Sequence, residues 1–124
     1  MLATRLFEHS SDAKPVEAGT VIFTKGDTRD FMYAVVEGQV DIVVNGKVVE
    51  TVERGGIFGE MALIQTEPRT ATAIAKTNSK LVPVDERRFL FLVQQTPNFA
   101  LHVMRVLSER LRRMDEQFVR PTRG

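Results

Sequence analysis

Asn45-Gly46 stands alone between two β-rich runs, QVDIVV (39–44) and KVVETV (47–52). Both central residues of a type I′ turn need positive φ, which Gly and Asn tolerate best. The dipeptide therefore predicts a tight antiparallel hairpin. The hairpin belongs to a longer pattern. Gly19, Gly26, Gly38, Gly46, Gly55, Gly56 and Gly59 punctuate residues 14 to 84 at short intervals. Between them lie further short runs, TVIFT (20–24) and FMYAVVEG (31–38), with TATAIAKT (70–77) and KLVPVD (80–85) beyond. Many short strands with turn signals and no long helix among them predict an antiparallel sandwich or jelly-roll barrel. Pro83 suits an edge or a bulge, because it cannot donate to a ladder.

The character changes after Asp85. DERRFLFLVQQ (85–95) opens a helix with Asp85 as N-cap and Glu86 in the first turn. Thr96 caps the next helix and Pro97 takes its first position. In that helix Ala100, Met104, Leu107, Leu111, Met114 and Phe118 recur at spacings of 4, 3, 4, 3 and 4. Such a stripe packs a helix on its own sandwich, seams a dimer, or forms a lid. The fold expected is mainly β with flanking helices: a β-roll over about 14–84, then two C-terminal helices over about 85–118. The 124 residues make one domain, 1–124, of ordinary size.

Bulk properties exclude several classes of function. A net charge of +1 gives no global field toward nucleic acid or anionic lipid. The arginines near the C-terminus are interrupted by Glu109, Asp115 and Glu116, as on a solvated helix face. Cysteine is absent, which removes disulfides, thiolate metal sites and cysteine nucleophiles. Only His9 and His102 are present, too few for a cupin-type metal cluster. Neither a Walker loop nor a Gly-x-Ser-x-Gly elbow occurs. No apolar run is long enough to span a bilayer and no signal-peptide core is present, so a cytoplasmic, non-enzymatic protein is expected.

The stretch IFGEMALIQTEPRTATAIAKT (57–77) carries the chemistry. Gly56 and Gly59 bracket Ile57-Phe58, making a corner where a backbone can approach a ligand closely. EMALI (60–64) is a short run of helix formers, whose N–H groups would point back at that corner. Arg69 supplies a planar fork suited to phosphate oxygens. Glu60, acceptor-only when ionised, suits a sugar hydroxyl. Glu60 and Arg69 are thus either a structural ion pair or the two polar ends of a ligand cradle. Thr70 and Ala71 add a hydroxyl and a small residue at the same edge.

FGEMAL (58–63), then four residues, then PRTAT (68–72) resembles the phosphate-binding cassette of the cyclic nucleotide-binding domain family. That family includes regulatory subunits of cAMP-dependent protein kinase, the catabolite activator protein and the cytoplasmic domains of cyclic-nucleotide-gated channels. MYAVVEGQVDIVVNG (32–46) resembles its central hairpins, and residues 85–111 resemble its last two helices. The resemblance covers about residues 14 to 118 and implies a regulatory sensor, with cAMP ahead of cGMP as the ligand and no other cofactor. It implies a cassette over 58–72 in which Glu60 accepts the ribose 2′-hydroxyl and Arg69 pairs the cyclic phosphate. Backbone N–H groups of Met61 and Ala62 would line the cassette, Gly59 would allow close approach, and Phe58 would touch base or ribose unless it is core. Thr70 or Ala71 would complete the phosphate edge. A threonine after the arginine occurs in relatives that accept cGMP, so Thr70 keeps that ligand open. Arg110, thirteen residues after Pro97, matches the position that touches the base in channel-like relatives. The partners expected are the nucleotide, an unidentified protein effector, and a second copy of the chain through Met104, Leu107, Leu111, Met114 and Phe118. The alternative is a non-catalytic interaction or dimerisation module that keeps this fold with ligand incidental.

Overall fold

The computed structural model describes residues 12–28, 31–64 and 68–118, without the side chains of residues 62, 64 and 114–118. His9 and the side chains of Ala62, Met114 and Phe118 therefore lie outside the described residues. Eight strands form two four-stranded antiparallel sheets. One sheet holds β1 (Lys14–Val16), β8 (Ser79–Val84), β3 (Met32–Glu37) and β6 (Ile57–Phe58), in that order. The other holds β2 (Val21–Phe23), β7 (Thr72–Ala75), β4 (Gln39–Val44) and β5 (Lys47–Glu53). A four-residue helix, α1 (Met61–Ile64), follows β6, and α2 (Glu86–Gln95) and α3 (Asn98–Phe118) follow β8.

The predicted hairpin joins β4 to β5. Val44 faces Lys47, and Asn45 and Gly46 have φ of 52° and 76°, the positive values a type I′ turn requires. Along β3 and β8, side chains alternate between two cores, as period 2 dictates. Val35 and Leu81 point between the sheets, where they join Phe23, Val40, Val52, Phe58 and Ala73. Met32, Ala34, Val82 and Val84 point the other way, and with Ile57 they receive Phe99 and Val103 of α3. The first sheet is therefore covered on both faces, by the second sheet and by the helices.

Two expectations change in detail. Strand β8 is internal to its sheet, although Pro83 suggested an edge or a bulge. The proline is accommodated because β1 reaches only as far as Leu81, so the stretch holding Pro83 pairs with β3 alone. The apolar stripe of α3 also divides between two faces. Phe99 and Val103 are buried, and Val106 and Leu107 pack beside them. Met104 and Leu111 stand 60% and 61% exposed. The repeat at 4, 3, 4, 3 straddles the boundary between faces, because buried Phe99 and Val103 each sit one position before a stripe residue.

The helix ends follow their sequence signals. Asp85 caps α2 by accepting from the N–H of Arg88 at 2.8 Å. Helix α3 starts at Asn98, one residue after the position predicted for Pro97, yet the carbonyls of Thr96 and Pro97 already accept from Phe99 and Ala100. Phe99, wholly buried against Phe89 of α2 and the outer face of the sheet, is the anchor of this packing. Phe99→Ala is expected to destabilise the protein by about 3–5 kcal/mol in chemical denaturation. Leu90→Ala, on the exposed face of α2, is expected to stay within about 0.5 kcal/mol of the parent.

Candidate functional site

Strand β6 ends at Phe58, and the chain turns through Gly59 at a φ of 76°. A Cβ here would lie 2.8 Å from Nη1 of Arg69 and 3.2 Å from the carbonyl oxygen of Phe31. Both the φ and the space thus call for glycine. The neighbour that needs this room is the guanidinium of Arg69 itself, in addition to any ligand.

Arg69 is held at both its backbone and its side chain. Its N–H donates to the carbonyl of Asp27 at 2.8 Å, and its own carbonyl accepts from the N–H of Gly26 at 2.8 Å. The Lys25-Gly26-Asp27 turn that supplies these partners is closed by the Asp27 carboxylate, which accepts from the N–H of Thr24. One residue beyond Ala71, the Thr72 hydroxyl accepts from the N–H of Lys25 at 3.1 Å. In the side chain, Nη1 donates to the carbonyl of Gly59 at 2.9 Å and Nη2 donates to that of Phe31. The guanidinium carbon lies 3.9 Å from the centre of the Phe23 ring, and the residue is only 8% exposed.

Glu60 sits next to Gly59 and is 4% exposed. Among the contacts between described residues its partner is Arg110 of α3, not Arg69. Nη1 of Arg110 donates to Oε1 of Glu60 at 2.6 Å. The same guanidinium grips Glu50 of β5 through Nε at 2.8 Å and Nη2 at 3.1 Å, and Nη2 also donates to the carbonyl of Ile57. Arg113 approaches Glu50 at 3.6 Å. Burial pushes the Arg110 pKa down, but the charge of Glu60 and the hydrogen bonds to Glu50 and Glu60 outweigh it and hold it above the ordinary arginine value. The site thus contains a clasp that ties the last helix to the cassette.

Glu50 escaped the sequence reading. Its signal was its register: it shares a strand face with Val52, two residues on, and Val52 is buried. A carboxylate on an inward face asks for a buried cation.

The other candidates fall into place around these two arginines. Phe58 is 1% exposed and stacks on Tyr33 at 5.2 Å between the sheets. Its side chain is core, and only its backbone borders the corner. Met61 opens α1 with its side chain exposed, and Leu63 packs against the helix-side core. Thr70 is exposed and Ala71 half-buried, just beyond Arg69. His102 is half-buried on α3, with its pKa lowered by burial and by the nearby Arg105. Among the described residues no group of three or more histidines or carboxylates is placed to hold a metal, and no helix is long and apolar enough to cross a membrane.

The arrangement offers a buried acceptor, Glu60, and a buried cation, Arg69, on either side of one glycine corner. Comparison with known proteins agrees with the geometry. The catabolite activator protein of Thermus thermophilus superposes with a TM-score of 0.76 at 27% identity, over 94% of this chain and 55% of that one. The chain thus spans about half the length of that relative. A structure of PKAR CBD2 with Sp-2Cl-cAMPS bound gives a TM-score of 0.72 at 26% identity, over 85% of this chain and 70% of that one. A protein of a cyclic-GMP-dependent signalling pathway in bacterial phytopathogenesis gives 0.73 at 28%, over 90% of this chain and 94% of that one. The model of the cyclic nucleotide-binding domain matches residues 13–96, two thirds of the chain, and the protein belongs to that family.

Proposed function

We propose that the chain is a regulatory sensor that binds a cyclic nucleotide in the cassette and releases it unchanged. The observation that carries this reading is the pair of buried opposite charges, Glu60 and Arg69, which flank Gly59 without neutralising each other. Both groups are buried and held by protein partners, Arg69 by backbone carbonyls and Glu60 by Arg110, so a ligand entering here would meet a polar corner already organised. A cyclic phosphate suits the guanidinium of Arg69, and a ribose hydroxyl suits the carboxylate of Glu60. Met61 and Ala62 contribute backbone at the same corner, and Ala71 leaves room beside the phosphate. We read cAMP as the preferred ligand, while the similar structures include both a cAMP-analogue complex and a protein of a cyclic-GMP-dependent pathway. Thr70, exposed beside Arg69, is the residue through which cGMP would be admitted.

The clasp gives the sensor an output. Arg110 bonds to the ribose-side carboxylate and to Glu50 in the same side chain, so a ligand that alters Glu60 alters the hold on α3. A ligand shifts that helix only through different affinities for its two positions. In the position that opens toward the nucleotide, Arg110 is also the residue to meet the base. The exposure of Met104 and Leu111, seven residues apart on α3, favours a second copy of the chain as a partner, and makes dimerisation through α3 the second reading of the module.

Two measurements test these roles. In calorimetric titration with cAMP, Arg69→Ala is expected to weaken binding by about two to three decades, from a loss on the order of 3–5 kcal/mol. Lys76→Ala, an exposed cation seven residues on, is expected to bind like the parent. Equal affinities for the two variants contradict the assignment. For the clasp, Arg110→Ala leaves Glu60 buried without its partner, and is expected to cost on the order of 3 kcal/mol. Amide exchange along residues 98–113 is expected to rise in the ligand-free variant. An α3 that stays as protected as in the parent contradicts the clasp.

A further inference from the structure

Arg69 is gripped on three sides, and one of them is an aromatic ring that neither the cassette pattern nor the family match singles out. The ring of Phe23 lies under the guanidinium, 3.9 Å from its central carbon. Phe23 is itself 6% exposed and cannot swing away freely. Tyr33 and Phe58 hold it from the side, with ring centres 6.2 and 6.0 Å away. A Cβ built on Gly59 would touch both groups, Nη1 of Arg69 at 2.8 Å and Cε2 of Phe23 at 3.3 Å. Ring, glycine and guanidinium therefore form one close-packed seat, completed in the guanidinium plane by the carbonyls of Gly59 and Phe31.

We propose that Phe23 is a positioning residue for Arg69: its face fixes the plane of the guanidinium that receives the nucleotide phosphate. The inference rests on the reading of the cassette as a cyclic nucleotide site. Two physical effects support it. A guanidinium over an aromatic face is attracted by the ring quadrupole, most strongly where water is excluded. The close contact also removes rotamer freedom from a long side chain before the ligand arrives, so less is lost on binding. An aliphatic residue of similar bulk fills the same core volume but has neither the quadrupole nor the flat face. Phe23 contributes to the inter-sheet core as well, so the experiment must separate packing from positioning.

The test is a double-mutant cycle read by calorimetric titration with cAMP and with cGMP on the parent, Phe23→Leu, Arg69→Ala and the double variant. Phe23→Leu is expected to weaken binding by roughly three- to thirty-fold, and to have no further effect once Arg69 is alanine. Parent-like binding by Phe23→Leu overturns the proposal, as does an equal loss in both backgrounds, which would mark Phe23 as core alone. A second measurement needs no variant. In NMR spectra of the parent, the guanidinium resonances of Arg69 are expected to carry an upfield ring-current shift, and its absence removes the contact. Should the parent bind neither nucleotide, the cassette reading fails and takes this inference with it. Should the parent bind and Arg69→Ala weaken it while Phe23→Leu does not, this inference alone fails.

Discussion

The bond between Arg110 and Glu60 joins the sandwich and the last helix at the glycine corner of the proposed site. Glu60 is a carboxylate with almost no access to water, and such a group is unfavourable unless a cation and hydrogen bonds compensate it. Among the described residues that cation comes from outside the sandwich. It comes from α3, whose Arg110 spends its other donors on Glu50 and the carbonyl of Ile57. Helix α3 is thus held by two kinds of force. Phe99 and Val103 near its start are buried in apolar surroundings with Val106 and Leu107 beside them, while Arg110 further along is held by charge. In the proposed sensor a ligand would act on the second and not on the first, leaving the start of the helix fixed and the part around Arg110 responsive.

The sandwich supplies rigidity where the cassette needs it. Strand β6 is only two residues long, and α1 only four, so neither positions a side chain by its own stability. The cassette is positioned from outside instead. The turn after β2 clamps the backbone of Arg69 at Asp27 and Gly26, the carbonyl before β3 takes its side chain, and the β4–β5 hairpin delivers Glu50. Two parts of the β2–β3 connection hold Arg69, and strand β5 holds Arg110 beside Glu60. That convergence explains why an irregular segment can carry two buried charges with defined partners.

Much of this was legible in the sequence, for identifiable reasons. The Asn45-Gly46 turn, the glycine punctuation and the Asp85 cap are local signals, fixed by φ or by one hydrogen bond, and they act alike in any context. Glu60 and Arg69 stood out because an acid and an arginine beside a glycine corner match the cassette of the family; what the structure adds is that both are buried. What escaped was tertiary. Glu50 and Phe23 matter through partners dozens of residues away, and no local pattern announces a carboxylate that meets α3 or a ring that meets Arg69. The stripe on α3 was legible only in part for a related reason: periodicity reports that a helix has an apolar side, but the sheet it lands on decides which residues lie at the centre of that side. Pro83 does sit at a local edge of an otherwise internal strand, but the early end of β1 that creates the edge cannot be read from β8.

The central claim is that one small ligand bridges Arg69 and Glu60. A crystal structure of the protein with cAMP tests it most directly. The account predicts the cyclic phosphate within hydrogen-bonding distance of the Arg69 guanidinium, and the ribose 2′-hydroxyl on the carboxylate of Glu60. A nucleotide bound elsewhere, or a cassette that stays empty at saturating cAMP and cGMP, would contradict it.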